Sequence, residues 1–349
     1  MIKKFNSVKN THYIRIPQFE RILKSIRKIG VFTSGGDAPG MNAAIRAVVR
    51  TAVYEGLQVT GIYRGYQGMI EADFVEMNRR SVSSIIQKGG TILKSARCPE
   101  FRTKEGRQQA YDNILRQGID ALVAIGGDGT FTGADLFSTE FDVPVMCIPG
   151  TIDNDLYGSD YTLGYDTANN TVIEAIDKIR DTASSHSRVF FVEVMGRDSG
   201  CIALNAGVGG GAESILLPEI DSGIEGLIEE LSLARERQKS SMIVIVAEGD
   251  KNGGAYNVAK AVKEKFEYFD VKVSILGHLQ RGGAPSSFDR VLATRMGYKA
   301  VKELLKGNNR STVGLRGTEI ITTPLEEALS NKEFKLDEEL LEIANIMNK

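Results

Sequence analysis

The chain has 349 residues, enough for about two domains with cores of their own, and this length excludes a small module held together by disulfides. Its 43 Lys and Arg residues against 45 Asp and Glu give a net charge of −2, so bulk charge gives no reason to expect nucleic acid or an anionic membrane as a partner. The three cysteines form no CxxC pair, and no apolar run approaches the ~20 residues of a membrane-spanning helix, so we expect a cytoplasmic protein in a reducing compartment.

Residues 1–27 are predicted to be a basic N-terminal extension, flexible and outside the folded domains. Together with Lys28 they carry eight Lys or Arg residues and one Glu, whereas the remaining chain has a net charge of −9. They lack the apolar core of a signal peptide. A disordered tail or residues upstream of the natural start are favoured over an amphipathic targeting segment.

From Lys28 onward, short β-branched runs alternate with glycine-rich turns and amphipathic stretches, which is typical of a parallel sheet with helices on both faces. The first unit is a strand at 29–33, a loop at 34–40 and a helix at 41–55. The second has a strand at 121–125, a turn at 126–129 and a helix beginning near Thr130. A third strand at 143–148 leads into a long polar loop.

The second half of the chain continues this alternation. Apolar residues at helical spacing between 172 and 179 predict a helix, followed by a strand at 188–195 and a glycine loop at 196–200. Further strands are expected at 242–247 and 271–276, and helices at 286–306 and 337–347. No linker separates the halves, so we expect an α/β fold of two doubly wound, Rossmann-like lobes with mainly parallel sheets that share crossover segments.

Two strand-to-helix turns, SGGD at 34–37 and GGDGT at 126–130, have nearly the same design. Glycines let a phosphate approach the main chain, and an aspartate can hold a divalent cation. One such turn alone is as readily a tight turn as a phosphate site, whereas two of them favour phosphate. Neither matches the Walker pattern or GxGxxG, which disfavours a P-loop ATPase and a dinucleotide oxidoreductase.

Polar residues also follow the other strands. Asp153, in the loop after the third strand, is a carboxylate that could accept the proton of a substrate hydroxyl, although acidic loops are often solvated turns. Arg197 could meet the charge of a transferring phosphoryl group, its alternative being a surface ion pair. His278 and Arg281 precede another glycine turn and could clamp a sugar phosphate.

At this point the sequence resembles the bacterial ATP-dependent 6-phosphofructokinases. The resemblance is carried by TSGGDAPGMNAAIR at 33–46, GGDGT at 126–130, PGTIDND at 149–155, MGR at 195–197 and GHLQRGG at 277–283. It covers nearly everything after the basic extension. GGDGT alone also resembles the nucleotide turn of NAD and lipid kinases, but a kinase of either kind would leave PGTIDND and HLQRGG unexplained.

The resemblance implies two lobes of the phosphofructokinase type in a homotetramer with active sites shared between subunits. The ATP-binding lobe would comprise 28–164 and 277–327, and the sugar-phosphate lobe 165–276 and 328–349. Asp153 would be the base that takes the proton of the sugar 1-hydroxyl, Thr151 and Arg197 would steady the transferring phosphoryl group, and Arg97 would reach phosphate on both sides. Residues implied to contact ATP, with Asp128 on Mg²⁺, are Gly36, Tyr66, Arg97, Cys98, Arg102, Gly127, Asp128, Gly129 and Thr130.

For fructose 6-phosphate, the resemblance implies a second set of residues, with Arg188 arriving from a neighbouring subunit. The others are Met195, Gly196, Glu248, His278 and Arg281. One departure concerns Lys272, where the family usually has arginine. Lysine keeps the charge but loses the bidentate fork, so a weaker or less selective grip on the 6-phosphate is expected.

The resemblance further implies an effector site between subunits, where a nucleoside diphosphate activates and phosphoenolpyruvate inhibits. Its residues are Arg46, Arg50, Arg79, Arg180, Glu213, Arg237 and Lys239. On the residues alone, Arg46 and Arg50 are one helical turn apart, and a solvated face is the better interpretation.

Two other functions are alternatives to an ATP-dependent kinase. A pyrophosphate-dependent relative is disfavoured because Gly129 and Gly150 leave uncharged space where such relatives typically carry Asp and Lys. A catalytically inactive, nucleotide-sensing subunit would be expected to lose its base or its arginine, whereas Asp153, Arg197 and Asp128 are all present.

Overall fold

The computed structural model describes residues 26–184, 188–220, 223–237, 241–266, 270–331 and 336–347. The predicted basic extension therefore lies almost entirely outside the described residues. None of the described helices is long and apolar enough to cross a membrane.

The larger sheet has seven strands in the order β11-β10-β5-β4-β1-β2-β3. Its five central strands, from β10 to β2, pair in parallel, while β3 and β11 pair antiparallel at the two edges. The strands are β1 (Lys28–Thr33), β2 (Gln58–Ile62), β3 (Phe74–Met77), β4 (Ala121–Gly126), β5 (Val145–Pro149), β10 (Ser311–Arg316) and β11 (Glu319–Pro324).

The smaller sheet has four parallel strands in the order β7-β8-β6-β9. These strands are β6 (Arg188–Val194), β7 (Ser214–Leu216), β8 (Met242–Ala247) and β9 (Asp270–Ile275). β8 reads MIVIVA and is buried along its whole length, as is β4 in the larger sheet. Helices cover both faces of such strands, so neither face needs polar residues.

Helices connect and cover the strands of both sheets. They are α1 (Met41–Tyr54), α2 (Tyr66–Glu71), α3 (Lys104–Arg116), α4 (Asp128–Phe141), α5 (Tyr165–Ser184), α6 (Cys201–Gly209), α7 (Gly223–Glu236), α8 (Gly254–Lys265), α9 (Ser287–Leu305), α10 (Leu325–Ser330) and α11 (Glu338–Met347). Short 3-10 helices occur at Pro99–Arg102 and Gly277–Arg281. α9 packs closely on α1 at Gly297, where an added Cβ would lie 2.7 Å from that of Ala47.

The predicted α/β fold with mainly parallel sheets is confirmed. The strand at 242–247 has the predicted bounds, and the other predicted strands and helices differ by one or two residues at their ends where bounds were given. The strands β2, β3, β7, β10 and β11 were not predicted, because they are short, polar or interrupted by glycine. α6 is apolar almost throughout, so it carries no helical alternation.

The fold places the sequence motifs at the carboxyl ends of the parallel strands in the two sheets. β1, β4 and β5 are parallel neighbours, so the turns that follow them meet at one edge of the larger sheet. β6, β8 and β9 are likewise neighbours, and their carboxyl ends lead to Met195, Glu248 and the turn at 277–281. In open parallel sheets this is where ligands bind.

Candidate active site

The two glycine–aspartate turns lie side by side at the carboxyl ends of β1 and β4. Ser34 N donates to the carbonyl of Ile125 at 3.0 Å, which joins the two turns. A Cβ on Gly126 would collide with the Thr130 side chain and the Ser34 carbonyl, so the close approach requires glycine. α4 begins at Asp128 without a side-chain cap, and in its first turn Thr130 N donates to the carbonyl of Gly127 at 2.9 Å. The N–H groups at such a helix N-terminus can bind an anion. The pair forms a cradle for an anion.

Two polar atoms of this edge are buried without a hydrogen-bond partner among the described residues: Thr130 Oγ1 and Asp153 Oδ1. Unpaired buried polar atoms are costly in a folded protein and are typical of sites that a ligand completes. Thr130 lies in the donor cradle and Asp153 in the loop after β5. These two atoms lie where the donor and acceptor sides of one site are predicted, and Thr60, Asn169 and Thr322 carry further unpaired buried oxygens among the described residues.

Tyr66 lies behind the cradle. Its ring is 7% exposed and stacks on Phe101 with centroids 4.0 Å apart, and its hydroxyl donates to the carbonyl of Thr130 at 2.5 Å. Burial raises the pKa of Tyr66 well above its usual value. The side chain thus supports the turn, and the predicted direct contact with ATP stays a prediction.

Asp153 is 8% exposed, and burial raises the pKa of its carboxyl above the usual value. The positive charges of Arg281 and Arg197 act in the opposite direction. Burial and the nearby Asp153 charge also raise the pKa of Asp155 to about 6. A buried carboxylate with two guanidinium groups around it can accept a proton while the cations stabilise a phosphoryl group.

The loop of Asp153 is held from outside the cradle. Thr162 Oγ1 donates to the carbonyl of Thr151 at 2.6 Å, and Thr162 N donates to Asn154 Oδ1 at 2.8 Å. Asp153 N donates to Thr151 Oγ1 at 3.2 Å. Thr151 itself is 7% exposed, and a Cβ added to Gly127 would lie 3.8 Å from the Cβ of Thr151. The loop is therefore packed beside the donor turn.

Glu248 holds the turn that carries Arg197. Its Oε1 accepts from Gly196 N at 3.2 Å and from Arg197 N at 2.7 Å, and Arg197 has a positive φ of 56°. Gln280 Oε1 accepts from Met195 N at 3.2 Å. The Arg197 side chain is 73% exposed, and its Nε lies 3.3 Å from Asp198 Oδ2 in a surface ion pair. Glu248, predicted to bind sugar, thus also has a local structural partner.

Arg281 reaches the donor turn. Its NH1 donates to the carbonyl of Asp37 at 3.3 Å, and an added Cβ on Gly36 would lie 2.5 Å from NH1. A side chain at Gly36 would therefore displace the Arg281 guanidinium from its place over the donor turn. The structure brings Arg281, predicted for the sugar phosphate, between the donor turn and Asp153, whereas His278 is exposed nearby on the same 3-10 helix.

Arg97, Cys98 and Arg102 surround the 3-10 helix Pro99–Arg102. Both arginines are exposed. Cys98 is half-buried, its Sγ lies 3.9 Å from Glu100 Oε2, and burial raises the pKa of the thiol. A raised pKa leaves the thiol neutral and supports a packing role. Cys147 and Cys201 are buried, which fits a packing role.

Arg188 and Lys272 lie together, but at the other end of the smaller sheet. Arg188 Nε and Lys272 Nζ each lie 2.7 Å from a different oxygen of Asp270, and hydrogen bonds from Lys272 and Arg188 lower the pKa of that carboxyl. β6 separates Arg188 from Met195 by its full length, about 20 Å at the usual rise per residue. Within one chain these two cations do not reach Asp153.

Of the predicted effector residues, the structure brings Arg180 and Glu213 together. Arg180 NH2 donates to the carbonyls of Gly210 and Gly211 at 2.6 and 2.7 Å, and its NH1 lies 4.0 Å from Glu213 Oε1. The others are spread over several elements: Arg46 is half-buried and Arg50 exposed on α1, Arg79 is exposed after β3, and Arg237 is exposed after α7. Lys239 lies outside the described residues.

Asp128 is suited to a divalent cation that arrives with the donor. It is exposed at the first position of α4, and its charge helps to raise the pKa of Asp155 across the turn. Over the described ranges, no group of three His, Cys, Asp or Glu side chains forms a closed metal cluster. Mg²⁺ usually keeps several waters and binds one or two carboxylates plus substrate phosphates, so this open donor set fits Mg²⁺.

Several contributors were missed by sequence reasoning. Gln280 stands inside the quoted HLQRGG motif, yet its link to Met195 was not foreseen. Asp270 pairs with both cations of the smaller sheet, and Asn42 bonds a loop 50 residues away. Residue spacing does not predict these contacts, because each contact joins segments that are brought together only by the fold.

Two mainly parallel sheets, with phosphate-binding turns at one edge facing a buried carboxylate and arginines, define an α/β phosphotransferase. The chain belongs to the phosphofructokinase family, whose profile, described as Phosphofructokinase, matches residues 28–304.

Known relatives are similar over most of their length. The ATP-dependent 6-phosphofructokinase 2 of Bacteroides thetaiotaomicron is 55% identical over 307 residues, which cover 88% of this chain and 94% of that protein. The ATP-dependent 6-phosphofructokinase 1 of Thermus thermophilus is 52% identical over 322 residues, 92% of this chain and 99% of that protein.

Solved structures agree with this membership. Phosphofructokinase from Saccharomyces cerevisiae matches with a TM-score of 0.83 and 38% identity, covering 92% of this chain and 47% of the yeast chain, so this chain spans about half of the yeast one. A pyrophosphate-dependent phosphofructokinase from Marinobacter aquaeolei matches with a TM-score of 0.79 at 21% identity over 92% of this chain and 91% of its own. The latter similarity indicates a shared fold alone.

Proposed function

We propose that this chain is an ATP-dependent 6-phosphofructokinase. It transfers the γ-phosphoryl group of ATP to the 1-hydroxyl of D-fructose 6-phosphate and yields fructose 1,6-bisphosphate and ADP, the committed step of glycolysis. The observation that carries this proposal is the buried carboxylate of Asp153 beside the glycine–aspartate cradle, whose Oδ1 has no hydrogen-bond partner among the described residues. Relatives at 55% and 52% identity bear the same activity in their names.

Phosphoryl transfer needs alignment and positive charge more than covalent chemistry. In this chain the cradle N–H groups align the donor phosphates, and Arg197 and Arg97 supply positive charge around the transferring group. Asp153 accepts the proton of the sugar 1-hydroxyl, which leaves late in a loose transition state, so a weak base suffices. Thr151 lies packed beside the donor turn and steadies the group in transit.

Asp128 would hold Mg²⁺, with Asp155 close enough to add to the negative potential. When bound, the ion neutralises charge on the donor phosphates. The remaining predicted ATP contacts are Gly36, Tyr66, Cys98, Arg102 and the turn 127–130, of which Tyr66 acts through its bond to Thr130.

The sugar phosphate is bound in two parts under this proposal. Met195, Gly196, Glu248, His278 and Arg281 come from one chain, while Arg188 and Lys272 reach the site of a neighbour. Support comes from the distance between the two groups along β6, which leaves Arg188 paired with Asp270 far from its own Asp153. Active sites shared between the subunits of a homotetramer are therefore part of the proposal.

Regulation by a nucleoside diphosphate and by phosphoenolpyruvate is part of the proposal, at a site formed by the predicted effector residues. Its support is the proximity of Arg180 to Glu213 and the two glycine carbonyls. The lobe division and the cytoplasmic location also stand as proposals. The larger sheet lies within the proposed ATP lobe and the smaller sheet within the proposed sugar lobe.

A coupled assay with ATP, Mg²⁺ and fructose 6-phosphate, with and without ADP, tests the function. Turnover with ATP and none with pyrophosphate supports it, and an ADP-sensitive sigmoidal response to the sugar supports the regulation. Faster turnover with pyrophosphate would favour the pyrophosphate-dependent alternative. No turnover with either donor would favour a non-catalytic regulatory subunit.

A further inference from the structure

Asn42 is a buried polar residue that the site description leaves without a role. It is 1% exposed near the start of α1 and bonds residues outside its own helix. Its Nδ2 donates to the carbonyls of Lys88 and Gly89, both at 3.1 Å, and its Oδ1 accepts from Ile92 N at 2.7 Å. Both amide hydrogens are thus used. One side chain satisfies three backbone groups of a single segment.

That segment, residues 88–94, is here called the strap. It contains no helix or strand, so side chains must supply much of its backbone hydrogen bonding. Besides Asn42, Thr33 Oγ1 bonds Thr91 Oγ1 and the carbonyl of Lys94, each at 2.8 Å. The strap is therefore held from the end of β1 and from the beginning of α1.

The strap runs between the two halves of the active site. A Cβ on Gly89 would collide with the carbonyl of Gly283, which ends the HLQRGG segment. Gly90 has a positive φ of 63°, and its Cβ position lies 3.8 Å from Asp37 Oδ2 in the donor turn. A shift of the strap would thus be felt at both the donor turn and the acceptor segment.

Arg97 follows the strap by three residues. It is exposed and belongs to no helix or strand, so the position of its backbone depends on the segments on either side. The 3-10 helix Pro99–Arg102 fixes one side, and the strap fixes the other.

We propose that Asn42 is a positioning residue that holds the strap, and through it the guanidinium of Arg97, where phosphoryl transfer requires it. The proposal rests on the proposed function, which gives Arg97 its role at the phosphates. Asn42 itself touches neither substrate in this account.

A double-mutant cycle with Arg97 tests the proposal. Asn42→Ala is expected to lower kcat by about 10- to 100-fold, since a misplacement of about 1 Å far from the chemistry costs that order. In the Arg97→Gln background the same change should cost less than about 3-fold, because groups that act as a unit are not additive. If Asn42→Ala yields no folded protein, Asn42→Ser is carried through the same cycle.

Asn113 provides the matched control. It is also buried, at 5% exposure, and its Nδ2 likewise donates to two successive carbonyls, those of Met69 and Ile70. Asn113→Ala is expected to lower the thermal midpoint as much as Asn42→Ala does, yet to change kcat by less than about 3-fold, because it leaves the strap alone.

Three results overturn the proposal. Equal losses of kcat from Asn42→Ala in the wild-type and Arg97→Gln backgrounds would show that Asn42 acts independently of Arg97, and equal losses from both asparagine variants would show a general effect of destabilisation. If the wild type is active and the Arg97→Gln variant is equally active, the proposed role of Arg97 is refuted, and the inference with it.

Discussion

Gly129 allows the choice of phosphoryl donor to be tested with one substitution that the fold accepts. It is the second residue of α4, its φ is not positive, and an added Cβ would meet no atom within 4 Å. Replacing glycine at a compatible position stabilises a protein by about 0.4–1 kcal/mol, and a negative charge in the first turn of a helix adds about 0.3–1 kcal/mol. The nearby Asp128 opposes part of the second contribution.

Gly129→Asp is therefore expected to raise the unfolding free energy by about 1 kcal/mol, or the thermal midpoint by about 1–2 °C for a chain of this length. Its effect on ATP has the opposite sign. A unit charge about 5 Å from a phosphate charge is repelled by about 3 kcal/mol at an effective dielectric constant of about 20, which corresponds to about 100-fold in kcat/KM for ATP.

Gly129→Asn is the matched control, because it has the same shape without the charge. We expect Asn to lower kcat/KM for ATP by less than about 10-fold and Asp by about 100-fold, as measured by initial rates at saturating sugar. Equal losses for Asp and Asn would show that space, rather than charge, selects the donor. An Asp variant with wild-type ATP kinetics would show that the nucleotide does not pass over this turn.

Three further outcomes are expected. Asp153→Ser should lower kcat by about 10²- to 10⁴-fold with little change in KM for the sugar, and a mild loss would place the base elsewhere. In the wild-type enzyme, kcat/KM should fall at acid pH with an apparent pKa above the usual aspartate value of about 3.9, because the base must be ionised and burial raises the pKa of Asp153. An apparent pKa at or below that value would contradict the assignment. Lys272→Arg should lower the sugar KM severalfold by restoring a bidentate donor, and an unchanged KM would show that the lysine costs no affinity.

A stability prediction concerns Glu303 on α9. Burial opposes its ionisation, but the hydrogen bonds and charges of Lys306 and Lys299 outweigh it and lower the pKa of Glu303 to about 2. A lowered folded-state pKa contributes stability above the unfolded pKa of about 4.3, which is lost as pH falls from there toward 2. The contribution at neutral pH is about 3 kcal/mol. Thermal midpoints of wild type and Glu303→Gln should therefore differ at pH 7 and converge near pH 2, and a constant difference would contradict the shift.

The sequence could predict the central strands because strands buried on both faces consist of continuous apolar runs. β4 and β8 are covered on both faces, so every residue is apolar or small and the run is recognisable without the fold. The edge strands β3 and β11 pair on one side only and mix polar with apolar residues, so the same rule misses them. The cradle turns were predictable because glycines cluster directly after apolar strands, and the geometry requires glycine at Gly35, which has a positive φ of 81°, and at Gly126, where a Cβ would collide with Thr130.

The support of the site could not be predicted in the same way. Glu248 holds the turn of Arg197 across 51 residues, and Asn42 holds the strap across 50. In each pair the side chain bonds backbone atoms, which every residue possesses, so no residue type on the far side records the contact. The resemblance assigned Glu248 to the sugar and Asn42 to nothing, and only the assembled fold shows what each one holds.

The proposed active site takes its residues from the carboxyl ends of three neighbouring strands in each of two sheets. Within the larger sheet, backbone pairing of β1, β4 and β5 aligns the donor turns with the loop of Asp153. Arg197 comes from the smaller sheet, and its turn is fixed there by Glu248, whose strand β8 pairs with β6. Alignment of donor and acceptor therefore depends on how the two sheets sit together, and Arg281, donating to the carbonyl of Asp37, lies at that joint.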